Sequence, residues 1–316
     1  MHTHLMKMLA ILLTAATSLI TIPVKGALQF DGVDDHVVVK RDLSGGLDAI
    51  TVCGWVWGEQ QSNIINFSSC VVLLHFASGV GFYLIGTDEK PSNYLNWRPG
   101  PNPGKWQFLA ATWSNAANGD GKMRLYLNGV KQQEDLAYAG GSGGVLKSSS
   151  AMLLGHKFNQ GILPFKGLME DVRVYNRALS PDEILKINNS AGYDGVADGL
   201  KLRWLLNEKE KGQSADGDNT IIDASGNGNH GTPMGAPLYW TAPAAELANC
   251  AKARERMAAC FKDSDAKMTA PFKPRYEELC QLLDKLSADH LSRAGSLLQQ
   301  FNTLETELNF EILLAE

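Results

Sequence analysis

Trp106-Gln107-Phe108-Leu109-Ala110-Ala111-Thr112-Trp113, followed after a short gap by Leu125-Tyr126-Leu127-Asn128-Gly129, reads as two extended segments closed by a tight turn. The gap contains Asn118-Gly119-Asp120-Gly121, and both it and Asn128-Gly129 supply residues that accept the positive backbone angles of short hairpins. The same alternation of apolar run and turn signal extends in both directions. Runs at 28–30, 36–39, 50–57, 71–76, 80–85 and 168–175 are separated by signals such as Asp31-Gly32 and Gly45-Gly46. Many short strands joined by turns predict a mainly β, antiparallel sandwich over residues 27 to about 178.

Beyond it, Ser180-Pro181-Asp182-Glu183 has the form of a capping box with Pro at the first helical position, which predicts a short helix through about Ile187. Strand character returns at 200–205 and 238–240, on either side of a Gly-, Asn- and Asp-rich loop at 212–231. From Ala244 onward only Gly295 remains among glycines, and Leu297, Phe301, Leu304, Leu308 and Ile312 recur at spacings of four and three. Leu279, Leu283 and Leu286 extend that seam upstream, while Pro271 and Pro274 separate a first helix from a second. Residues 243–316 are therefore expected to form a helical hairpin or short coiled coil. Its apolar stripe is either packed within itself or turned to the sandwich or a partner.

A formal charge of -5, with no basic block, leaves the chain without the electrostatic footprint of a nucleic-acid binder. Lys7 followed by Met8-Leu9-Ala10-Ile11-Leu12-Leu13 and, further on, Leu19-Ile20-Thr21-Ile22 reads as a secretory signal peptide over residues 1–26, with an uncleaved anchor as the alternative. The expected setting is periplasmic, cell-surface or extracellular. Cys53, Cys70, Cys250, Cys260 and Cys280 allow two disulfides and one thiol in that setting, with Cys53 equally readable as a free buried thiol. None of these cysteines has zinc-site spacing.

Four passages, taken in order, resemble the laminin-G-like branch of the concanavalin-A-like lectin/glucanase superfamily. They are Leu28-Gln29-Phe30-Asp31-Gly32-Val33-Asp34-Asp35-His36-Val37-Val38, then Ile50-Thr51-Val52-Cys53-Gly54-Trp55-Val56, then the opening pair, and finally Phe165-Lys166-Gly167-Leu168-Met169-Glu170-Asp171-Val172-Arg173-Val174-Tyr175-Asn176-Arg177-Ala178-Leu179-Ser180. The resemblance implies a jelly-roll sandwich of two antiparallel sheets over residues 27–242. Asp223-Ala224-Ser225-Gly226-Asn227-Gly228-Asn229-His230-Gly231 also looks like the family, where such a loop precedes the first strand; here it follows the domain. Residues 199–242 are expected to close a permuted sandwich, the alternative being a truncated second copy.

The resemblance further implies a structural calcium ion held by Asp31, Asp223 and Asn227, with Glu170 or Asp171 as supplements. Asp31, Asp34 and Asp35 beside Gly32 offer the hard oxygens that calcium takes in sets of six to eight, although the same side chains also serve Asx turns. Asp216-Gly217-Asp218-Asn219 is not an EF-hand, because Ile221 stands where Gly is required and Asn227 where Glu is. Gly140-Gly141-Ser142-Gly143-Gly144 lacks the strand-to-helix elbow of a nucleophile. The alternating acids of the superfamily's glucanases are missing, and Glu170-Asp171, being adjacent, is expected to point to opposite faces of a strand. Trp97, flanked by Asn96 and Arg98 and followed by Pro99-Gly100-Pro101, is the aromatic best suited to a sugar face. The expected function is a secreted, non-catalytic module that binds a carbohydrate or glycoprotein. A structural protein acting through residues 244–316, on itself or a partner, is the alternative, and a divergent glycosidase ranks below both.

Overall fold

The computed structural model of the protein describes residues 26–58, 62–67, 71–76, 79–86, 93–97, 104–115, 117, 119–132, 136–138, 145–156, 164–190, 192–240, 244–285 and 294–315. The apolar N-terminal run, Cys70, Arg98 and the 140–144 loop fall outside them. Among the described residues no helix is long and apolar enough to cross a membrane.

Two eight-stranded antiparallel sheets face one another. In the first, the order is β10 (Val130–Lys131), β9 (Met123–Leu127), β8 (Gln107–Ser114), β3 (Ala49–Gly58), β13 (Lys166–Tyr175), β1 (Ala27–Asp31) and β16 (Leu238–Trp240). β14 (Leu200–Trp204) also pairs with β13, beyond the end of β1. The second sheet runs β11 (Leu136–Tyr138), β7 (Asn93–Trp97), β6 (Gly79–Leu84), β5 (Val71–Phe76), β4 (Ser62–Phe67), β12 (Met152–Leu154), β2 (His36–Val39) and β15 (Thr232–Met234). Residues 200–240 thus contribute strands to both sheets: β14 and β16 to the first, β15 to the second.

Strand alternation sorts the apolar residues. Val52, Val56, Leu109, Ala111 and Trp113 point between the sheets and meet Ile65, Val80, Phe82, Leu95, Val37 and Met152 of the facing layer. The intervening Cys53, Trp55, Phe108 and Ala110 point to the outer face of the first sheet. That face is covered by α1 (Pro181–Asn189), whose Ile184 and Ile187 pack on it. Both faces of β3 are therefore buried. Cys53 is a fully buried thiol whose ionisation burial pushes up to about 12, so it packs as a small hydrophobe. Cys250, Cys260 and Cys280 are likewise thiols, with no disulfide among the four described cysteines.

Local signals act where expected. Asn128 and Gly129 take φ of 50° and 81° in the two-residue turn between β9 and β10. The Ser180 hydroxyl accepts from the Glu183 amide at 3.2 Å while the Glu183 carboxylate accepts from the Ser180 amide at 2.9 Å. Arg177, hydrogen-bonded to that carboxylate, holds it down at about 2.

After the sandwich come α2 (Ala244–Asp263), the single turn α3 (Ala266–Thr269), α4 (Lys273–Lys285) and α5 (Ala294–Ala315). Three long helices, not a two-helix hairpin, share a core of Cys250, Ala253, Met257, Leu279, Leu282, Leu297, Phe301, Leu304 and Leu308. Leu282 takes the place expected of Leu283, which is partly buried. Arg256–Glu305 and Arg275–Glu307, at 2.7 and 2.8 Å, bind α2 and α4 to α5.

Trp204, on β14, is fully buried in the inter-sheet core and donates its indole N–H to the Asn229 carbonyl at 2.9 Å. Trp204→Ala should lower the free energy of unfolding by about 3–5 kcal/mol in a denaturant titration; a loss below about 1 kcal/mol would mean that the 200–240 segment is peripheral to the core.

Candidate functional site

The turn joining β1 to β2 brings three carboxylates together. Asp31, Asp34 and Asp35 each offer an oxygen within 4.8 Å of the others, and among the described residues this is the acidic group at metal-ligating spacing. The turn folds on its own side chains: the Val33 amide donates to Asp31 Oδ1 at 2.8 Å and the Asp31 amide to Asp35 Oδ2 at 2.9 Å. Gly235, with φ of 83°, lies against it so closely that a Cβ would stand 2.7 Å from Asp35 Oδ1. Asp35 is only 5% exposed, and burial, with repulsion from Asp31 and Asp34, raises its carboxyl to about 6 despite the Asp31 amide. Concentrated, partly desolvated negative charge is what a hard cation relieves.

The other acids expected beside Asp31 have different partners. Asp171, with φ of 48°, sits at a β-bulge where the register of β13 against β3 shifts between Glu170 and Arg173. Strict alternation is broken there. Its carboxylate receives Arg173 at 2.7 Å and Arg203 at 2.8 Å, and Asp194 completes the cluster against Arg173 at 2.8 Å. Burial opposes the Arg173 charge, but the two carboxylates more than offset it and hold the guanidinium protonated. Asp171 is thus saturated by arginines, a poor ligand set for a cation. Glu170 is buried in the same strand, paired in register with Trp55.

Asp223 organises the 223–231 loop. Its carboxylate accepts from the amides of Arg203, Ser225 and Asn229 at 2.9, 3.0 and 2.9 Å. Burial pushes its carboxyl up, yet these donors outweigh burial and hold it below the usual range. Asn227 donates its side-chain amide to the Leu200 carbonyl at 2.8 Å. Asp223 and Asn227 therefore lace one loop onto β14, and the Asp223 oxygens are already occupied by three backbone amides of this chain.

That loop forms one wall of a groove of about 760 Å³ on the outer face of the second sheet. Its floor is the cross-strand row Leu153, Val38 and Thr232, contributed by β12, β2 and β15, with Met234 opposite His36. Val37 and Val39 face the core, so alternation turns His36 and Val38 outward. Lys40, Arg41, Asp218, Asn219 and His230 rim it. The His36 ring gives Nδ1–H to the Asp34 carbonyl at 2.7 Å, and burial lowers its basicity. His230 Nδ1 instead accepts from the Asp223 amide at 3.1 Å, which places its proton on Nε2. An aliphatic floor under convergent donors and acceptors is a ligand-site design. Sequence reasoning missed this groove; its signal was the alternation of His36 and Lys40 with buried valines.

Asn96 and Trp97 lie on β7, in register with Gly81 and Val80 of β6, and successive strand positions belong to opposite faces of a sheet. Arg98 lies outside the described residues.

Residues 31–185 match the Laminin_G_3 model, described as the concanavalin A-like lectin/glucanases superfamily. No curated protein matches the chain. Among solved structures, a candidate carbohydrate binding protein from Bacteroides ovatus is 20% identical with a TM-score of 0.49, the alignment covering 69% of this chain and 62% of that one. The CBM40 of a Ruminococcus gnavus IT-sialidase, bound to α2,3-sialyllactose, is 21% identical with a TM-score of 0.37, covering 52% of this chain and 97% of that one. Domains LG4-5 of the mouse laminin α1 chain are 14% identical with a TM-score of 0.39, covering 49% and 45%. The chain thus spans less than two thirds of the Bacteroides and mouse chains.

Because Asp35 keeps its proton to about pH 6 in the fold against 3.8 ordinarily, the folded state binds more protons than the unfolded state between those values. In calcium-free buffer this group should therefore remove stability as pH rises from about 4 to about 6, with no further loss above. Asp35→Asn should flatten that decline and, at pH 7 without metal, stabilise the fold by about 1–2 kcal/mol; an unchanged pH profile in chemical denaturation would show that Asp35 is not raised in the fold.

Proposed function

From a sandwich whose residues 31–185 match the laminin-G-like model of the concanavalin A-like lectin/glucanases superfamily, we propose that the protein is an exported, non-catalytic module that binds a carbohydrate or glycoprotein. The observation that carries this reading is the 760 Å³ groove of the second sheet. Its aliphatic floor suits the apolar face of a sugar ring, and its rim supplies both hydrogen-bond donors and acceptors for hydroxyls. Asn96, Trp97 and Arg98 remain a second candidate contact.

Asp31, Asp34 and Asp35 fit a calcium ion by donor chemistry, and they would hold it, with backbone carbonyls or water completing the shell. The ion would supply positive charge that neutralises the turn and fixes the β1–β2 connection. The apolar seam of α2, α4 and α5 is spent on their shared core, so a role of residues 244–316 in docking or self-assembly would fall to the outer faces of these helices.

The carboxylate spacing and the raised Asp35 also suit a retaining glycosidase, whose acids stand about 5 Å apart. Such acids flank the scissile bond, whereas these three share one five-residue turn, with Asp35 buried beneath it. A sugar ring has no room to enter between them.

Calorimetric titration with calcium should show uptake and a raised unfolding temperature, both lost in Asp34→Asn; neither uptake nor a thermal shift in the parent protein removes the metal. On a polysaccharide array the protein should bind, and Val38→Asn with Met234→Asn should weaken binding at least about fivefold, or about 1 kcal/mol. Loss on Trp97→Ala alone would move the site to β7. Hydrolysis of any bound glycan by the purified protein would replace this reading with the enzymatic one.

A further inference from the structure

The charges around the groove are unevenly placed. Asp31, Asp34 and Asp35 crowd its His36 end, where the Asp34 carbonyl holds the His36 ring. At the other end β2 runs out into Lys40 and Arg41, both exposed. The antiparallel register pairs Val38 with Thr232, and just beyond the ends of the paired strands Lys40, Arg41 and His230 line the groove together. The geometry of the 223–231 loop keeps His230 there: Asp223 gathers the Asn229 amide, and the His230 ring accepts from the Asp223 amide. The other ring nitrogen of half-buried His230, Nε2, is consequently an N–H donor. Arg41 reaches the same loop, giving Nη1 to Asn229 Oδ1 at 3.4 Å and leaving other guanidinium N–H groups for a ligand.

One end of the groove thus offers an ammonium, a guanidinium and an imidazole N–H, with Asp218 as the acid on the facing loop. In a chain of net charge -5 this is a local reversal of sign. A neutral glycan gains little from two flexible cations, which water solvates well. A carboxylate or sulfate matches the fork of Arg41 and the point charge of Lys40. Wherever the acidic turn at the opposite end carries no cation, it repels the same group and so favours one direction for the ligand.

We propose that the groove selects an anionic glycan, one carrying carboxylate or sulfate groups, with the charged substituent against Lys40, Arg41 and His230 and the ring over Val38, Leu153 and Thr232. The proposal rests on the groove being the carbohydrate site. It adds a sign of charge and an orientation to that reading.

The test is isothermal titration of the full-length protein with three polymers: polygalacturonate, dextran sulfate and dextran. At least one polyanion should bind about tenfold or more tightly than dextran, and raising salt from about 0.05 to about 0.5 M should erase most of that preference. Whichever polyanion binds identifies the group as carboxylate or sulfate. Lys40→Glu and Arg41→Gln, both at exposed positions, should each weaken polyanion binding by roughly fivefold or more, while circular dichroism and any binding of neutral sugars stay unchanged. Dextran binding equal to that of both polyanions would overturn the charge preference and leave the carbohydrate reading intact. Polyanion binding indifferent to both substitutions would also overturn it, by placing the anion elsewhere. Failure of every polymer here and every glycan on the array would remove both readings.

Discussion

Strand β13 offers two hydrogen-bonding edges yet pairs with three strands. β3 takes one edge along almost its whole length, whereas β1 pairs with residues 166–169 of the other and β14 with residues 172–175. The change of neighbour coincides with a bulge, seen in the register against β3, at Asp171, a non-glycine residue held at φ of 48°. The bulge turns the Asp171 carboxylate toward Arg173 and Arg203, one on each of the paired strands, and Asp194 closes the cluster from the loop after α1. Burying three charges, with the partly exposed Arg203 as the fourth, adds little net stability over an apolar equivalent, but leaving any buried one unmatched is costly. The cluster therefore acts on register: β14 fits only where Arg203 reaches Asp171.

The groove follows from that register. With β14 in place, Trp204 and Asp223 tie the 221–231 loop to the sandwich through the Asn229 carbonyl and amide. The same loop leads into β15, which pairs with β2 and sets Thr232 beside Val38. A charged cluster on the outer face of one sheet thus positions the wall of a groove on the outer face of the other. The superfamily match ends at residue 185, so the loop and the strand, β15, that finish this groove lie beyond it.

Much of the architecture was legible in local chemistry. Asn128-Gly129 could hardly be anything but a two-residue turn, and the Ser180–Glu183 box formed with both of its reciprocal hydrogen bonds. The buried seam Leu297, Phe301, Leu304 and Leu308 was readable from spacing. A third long helix in that core was less so, since Cys250, Ala253 and Met257 are small or soft residues that make a faint stripe. A cluster of acids was legible only where a single turn brings them together, as at Asp31, Asp34 and Asp35. Asp171 and Asp223 looked equivalent to these by residue type, but their partners, Arg173, Arg203 and a set of backbone amides, are assigned by long-range pairing. Glu170 and Asp171 illustrate the limit most directly: strict alternation holds for an unbroken strand, and nothing local announces that β13 has two partners on one edge.

Leu28 pairs with Tyr239 and Val38 with Thr232, so each sheet is finished by residues made some two hundred positions after the strand they cover. While the chain emerges from the ribosome, the edges of β1 and β2 stay bare until residues 232–240 arrive. Bare edges invite pairing with neighbouring chains, and pairings this distant in sequence form slowly. The nascent protein is therefore most exposed to aggregation late in its synthesis, and a chaperone that shields these two strands would have its largest effect in that interval.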